Sequence, residues 1–100
     1  MRYDLNQQGY ENAIERALEY IGERSGYIGA EGLAALLANV WDPTAPANVV
    51  EILSTLDLPH QELAIDLLVG RMRYGRPISH PRADEIENVW TNVNGSNSHL

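Results

Sequence analysis

Apolar residues in this chain recur at three- and four-residue spacing in one segment after another, while strict apolar/polar alternation is nearly absent. A period of 3.6 gathers side chains onto one face of a helix, whereas half-buried strands need a period of two. Glycine and proline cut the pattern into five pieces. The first predicts a helix over about Gly9 to Glu23, with Tyr10, Ala13, Ile14, Ala17, Leu18 and Ile21 on its apolar face. Arg24 to Gly29 reads as a turn, because Gly26 and Gly29 interrupt the helix. A second helix is expected from about Ala30 to Val40 on Leu33, Ala34, Leu36, Leu37 and Val40, with Trp41 closing it.

Pro43 and Pro46 break the chain after Asp42, since proline restricts the residue before it and cannot continue a helix. A short third helix, about Ala47 to Leu56, is expected to turn Val49, Val50, Ile52, Leu53 and Leu56 inward. Asp57 or Leu58 stands where an N-cap belongs, ahead of Pro59, which suits a first helical turn. The fourth helix, about Pro59 to Tyr74, carries the stripe Leu63, Ala64, Leu67, Leu68 and Met72 and stops at Gly75. Arg76 to His80 is a loop, and Pro81 opens a fifth helix through about Asn92 on Ile86, Val89, Trp90 and Val93. The polar residues 94–100 are expected to form a disordered tail behind a single domain over 1–93. Five short helices with connections of a few residues, and no heptad sustained over three or four repeats, predict an all-α compact bundle rather than a coiled coil.

One hundred residues make one domain with a modest core. Cysteine is absent, so the fold has no disulfide and no thiolate metal site. No apolar run approaches the roughly 20 residues that span a bilayer, and the segment MRYDLNQQGY lacks the apolar core of a signal peptide. Cytoplasmic residence without membrane attachment is the expectation. The formal charge of −7 argues against direct nucleic-acid binding, which calls for a basic footprint, and favours a solubilising surface or one that meets basic partners. Every basic residue is an arginine: Arg2, Arg16, Arg24, Arg71, Arg73, Arg76 and Arg82.

Three passages carry a likeness. They are Leu36-Leu37-Ala38-Asn39-Val40-Trp41-Asp42; Ile52 to Asp57 followed by Ala64 to Arg71; and Gly75 to Ser79 with Glu87-Asn88-Val89-Trp90. Through them the stretch from Leu33 to Val93 resembles a family of small helical domains carried by proteobacterial plasmids, integrative elements and prophages. The resemblance implies a helical fold and a mobile-element setting, and implies no activity. In general character the chain also resembles anti-CRISPR proteins, which are short, acidic, often helical and without catalytic motifs.

The most informative charged pattern lies on the first helix. Glu11, Glu15, Glu19 and Glu23 stand four apart, so on a helix they form a drifting row about 18 Å long with steps of about 6 Å. Like charges at this spacing destabilise a helix by roughly 0.2–0.5 kcal/mol per pair. Arg16, within reach of Glu19 at i+3, relieves only part of that. A solvated helix face is the ordinary account of such a row. The alternative is a docking surface whose spacing approximates successive phosphates and which fits an arginine- or lysine-lined groove. Arg71, Arg73, Arg76 and Arg82 form a second candidate, an anion or partner patch, against the plainer account of helix-terminal cations and local ion pairs.

No catalytic or metal constellation emerges. His60, His80 and His99 form no HxxxH pair, and no cluster supplies three or four metal ligands. Ser25, Ser54 and Ser79 lack a nucleophile elbow, and no phosphate-binding glycine loop is present. Asp57, Glu62 and Asp66 alone do not imply acid–base catalysis. Trp41 and Trp90 are expected as core or interface anchors. The expected function is therefore non-enzymatic and cofactor-free. One form is an acidic inhibitor that docks on a basic, nucleic-acid-handling protein assembly. The other is an accessory subunit that oligomerises, with itself or with another chain, through its tryptophans and apolar faces.

Overall fold

Each of the five apolar segments is a helix in the computed structural model, which describes residues 4–97. They are α1 (Gln7–Glu23), α2 (Ile28–Trp41), α3 (Val49–Ser54), α4 (Leu58–Tyr74) and α5 (Ala83–Asn97), with no strand among the described residues. Three helices begin on a side chain that accepts a bond from the backbone N–H three residues on, which satisfies one of the donors a helix start leaves orphaned. Asn6 accepts from Gly9 at 2.8 Å, Asn48 from Glu51 at 3.1 Å and Asp57 from His60 at 3.2 Å. Gly75 ends α4 with φ 81°, a left-handed backbone that side chains with a Cβ rarely adopt.

The caps explain where the boundaries move. Asn6 starts α1 two residues earlier than the apolar pattern does, and Asn48 starts α3 two residues later. α3 stops at Ser54 because Ser54 and Thr55 turn their hydroxyls back onto the carbonyls of Glu51 and Ile52, and Gln61 donates to Leu53 and Leu56. Gly29 lies inside α2 rather than in the preceding turn. It is buried, and a Cβ there would stand 2.8 Å from the Tyr20 hydroxyl, so the glycine permits close packing. The turn itself is made by Gly26, with φ 92°. Residues 94–97 of the expected tail continue α5; the rest of it lies outside the described residues.

α2 is the central element. Its Leu33, Leu36, Leu37 and Val40 are buried, and α1, α3, α4 and α5 all pack on it, while α1 also packs along α4. A helix apolar around most of its circumference is the one that ends up surrounded. Two residues expected in the core are outside it: Val50 and Met72 are each 79% exposed. Each stands two residues from a buried position, Ile52 and Gly70 respectively, which is about 200° around the helix.

Tyr10 joins α1 to α4. Its hydroxyl donates to the Gly75 carbonyl at 3.0 Å and its ring stacks on Tyr74 with centroids 6.1 Å apart. Burial pushes the phenol up to about 12, against the opposing charge of Arg71. The folded state therefore holds this proton where the unfolded chain releases it. The resulting stability is complete below pH 10 and falls as the pH rises from 10 toward 12. Urea titrations of wild type and Tyr10→Phe across that window are expected to show the wild-type advantage shrinking with pH; a constant difference would refute this account.

Candidate functional site

The face of α1 opposite Tyr10, Ala13, Ile14, Ala17 and Leu18 carries the glutamate row. Glu15, Glu19 and Glu23 are exposed, and Glu11 is half-buried at the edge where the α4–α5 loop crosses. Among the described residues no side chain hydrogen-bonds or ion-pairs with these four carboxylates, and Arg16 does not close on Glu19. Among the described residues, one basic group whose field reaches the row comes from elsewhere in the chain. Arg82, ahead of α5, is held above its ordinary range first by hydrogen bonds to Glu85, then by the charges of Glu85, Glu15 and Glu19. Its fork is committed to Glu85, with Nε to one carboxylate oxygen at 2.6 Å and Nη2 to the other at 2.8 Å.

The remaining arginines of the second candidate patch donate to backbone carbonyls instead. Arg71 Nε donates to the Val40 carbonyl at 2.9 Å, and Arg76 Nε to the Trp41 carbonyl at 2.6 Å. These are the last carbonyls of α2, which lack intrahelical partners and carry the negative end of the helix dipole. Arg73 Nη1 donates to the Leu5 carbonyl at 2.9 Å beside the Tyr74 hydroxyl at 3.0 Å, pinning the segment ahead of α1. The four arginines thus divide among the end of α2, the N-terminal segment and Glu85.

His80 fixes the loop that brings Arg82 to the row. Its Nδ1 accepts from the Arg82 backbone N–H at 2.9 Å, so the ring proton sits on Nε2, which donates to the Glu11 carbonyl at 3.1 Å. Its burial on the α1 side was not legible in sequence, because both bonds go to backbone atoms and one spans 69 residues. Asp57 is occupied as the α4 cap and by His60 Nδ1, and those bonds hold its carboxyl low; Asp66 is buried and Glu62 exposed.

A further polar cluster lies at the C-terminal end of α2. One Asp42 oxygen accepts from the Thr44 hydroxyl and N–H, at 2.7 and 3.0 Å, and the other from the Trp90 indole at 3.1 Å. The Thr44 bonds hold this carboxyl below its usual range, helped by Trp90 and by the charge of Arg76. Among the described residues no group of three or more histidines, aspartates and glutamates is arranged to hold a metal ion, and no helix is long and apolar enough to cross a membrane. No protein-family model, no curated protein and no solved structure matches the chain.

Proposed function

We propose that the protein is a non-enzymatic binding module that presents the exposed row Glu15, Glu19 and Glu23, with Glu11 at its edge, to a basic protein surface. The observation that carries this reading is the disposal of charge. Among the described residues the carboxylates of the row make no hydrogen bond or ion pair, while Arg71, Arg73, Arg76 and Arg82 spend donors on backbone carbonyls and Glu85. A row of uncommitted carboxylates on a packed helix is pre-organised, so little ordering opposes its docking. The basic surface it fits is one that otherwise holds a phosphate backbone, which makes the module an acidic competitor of nucleic acid. Its short, acidic, helical character fits a small anti-CRISPR-like inhibitor, and the resemblance of Leu33 to Val93 adds only a mobile-element setting.

The test is affinity capture from host extract with and without competing duplex DNA, using wild type and the double reversal Glu15→Arg, Glu19→Arg. Both side chains are exposed, so helical circular dichroism is expected to stay unchanged while capture is lost. Wild-type capture is expected to fall steeply with salt, because exposed charges are screened over about 8 Å at physiological ionic strength. Undiminished capture by the double variant overturns the proposal. A second reading, an oligomerising accessory subunit, is favoured by one feature: Tyr27 and Ile28 stand exposed at the start of α2, and Ile28 borders an apolar groove between α2 and α3. Light scattering tests its self-associating form, which requires a stable oligomer without a partner.

A further inference from the structure

Both tryptophans of the chain line one cleft of about 350 Å³ at the C-terminal end of α2, together with Asp42, Pro43, Arg76 and Glu87. That volume lies at the small end of the roughly 300–1,000 Å³ that ligand sites occupy, and it leaves room for one long side chain. The structure already stacks one guanidinium here, with Arg76 Cζ 5.0 Å from the Trp41 ring centroid. Asp42 is filled by Thr44 and Trp90, whereas the exposed Glu87 has no side-chain partner among the described residues. Two carboxylates against one guanidinium leave the lining with a net negative charge. An anion would meet Asp42 and Glu87, and an apolar group would strip water from three charges without replacing their bonds. A cation is opposed only by Arg76, whose charge the two carboxylates outweigh, and indole faces attract cations.

We propose that this cleft receives an arginine side chain of the partner protein, held between Trp90 and Glu87 beside the Arg76–Trp41 stack. Arginine fits better than lysine because its guanidinium is planar, weakly hydrated and able to stack while it pairs with a carboxylate. The inference rests on the reading of the protein as a module for basic partners and names an anchor for it. A tryptophan-lined pocket that takes one arginine has the character of an interface hot spot, whereas the glutamate row supplies long-range attraction.

The cleft can be tested without the partner, because the two indoles that line it are the only two in the chain. Acetyl-arginine amide is titrated into the protein while intrinsic fluorescence and the two indole N–H resonances are followed. Acetyl-citrulline amide, of nearly the same shape but uncharged, is the control. A saturable change with a millimolar midpoint is expected for arginine and not for citrulline. Glu87→Gln, on an exposed side chain, is expected to weaken it about fivefold, the loss of one charged contact. Trp90→Phe is expected to abolish the change at Trp41; should that variant unfold, Glu87→Gln still decides. An equal response to citrulline, an unaffected Glu87→Gln midpoint or no response at all overturns the proposal. Those results leave the row reading intact, whereas capture that survives the reversal of Glu15 and Glu19 ends the row reading and leaves the cleft standing.

Discussion

Gly70→Ala is expected to destabilise the fold by about 2–4 kcal/mol, although alanine is the better helix former. A Cβ on Gly70 would stand 2.1 Å from Tyr10 Cδ1 and 2.4 Å from its Cγ. The near edge of the ring is struck, not a flexible tip. The ring cannot swing aside freely, because its hydroxyl is tied to Gly75 and the ring packs against both Gly70 and Tyr74 of α4. Either α1 separates from α4 or Tyr10 gives up its hydrogen bond and its burial. The helix-propensity gain of about 1 kcal/mol offsets only part of that loss. Gly22 supplies the control. It is exposed near the end of α1, and a Cβ there meets nothing within 4 Å, so Gly22→Ala is expected to leave stability equal or raise it by about 0.5 kcal/mol. For a domain of this size each kcal/mol moves the melting temperature by roughly 4–8 °C, so a thermal melt separates the two variants clearly. A Gly70→Ala protein that melts at or above wild type would show that α1 and α4 do not meet through this glycine.

Gly70 also marks what composition and periodicity leave unseen. The fold class follows from the apolar spacing, because a helix needs only local bonds and the stripe says which side is buried. The cap at Asp57 is readable for the same reason, because its partner lies three residues away; Asn6 and Asn48 cap in the same local way but are missed when the apolar pattern alone sets those two starts. The contacts that tie helices together are not local. Tyr10 to Gly75, Arg71 to Val40, Arg76 to Trp41 and His80 to Glu11 join residues 31 to 69 apart, and all four end on backbone carbonyls, which carry no sequence signature. The glutamate row was legible as a pattern, since it depends on α1 alone. Its setting was not. The arginines that cluster between Arg71 and Arg82 in sequence take separate partners once folded, and the charge of Arg82 reaches Glu15 and Glu19.

On α4, Leu67→Ala and Met72→Ala are expected to differ by several kcal/mol, although periodicity places both residues on one apolar stripe. Leu67 is fully buried, and removing its isobutyl group from a packed core forfeits both the transfer free energy and the contacts of the cavity lining, about 2–5 kcal/mol together. Against a total stability of roughly 5–15 kcal/mol for a domain this size, that is a large fraction of what holds the bundle together. Met72 is 79% exposed and its truncation uncovers no core atom, so its cost is expected to stay within about 0.5 kcal/mol. The physical origin of the difference is the drift of a 3.6-residue helix away from a four-residue spacing. Leu63, Leu67 and Gly70 follow the face that α1 and α2 cover, whereas Leu68 is half-buried at its margin and Met72 one turn later has rotated out. Denaturant midpoints with unchanged slopes would give both values directly. Equal losses at the two positions would mean that something covers Met72 in solution. That face of α4 would then be an interface, and the oligomerising reading would gain the apolar contact it requires.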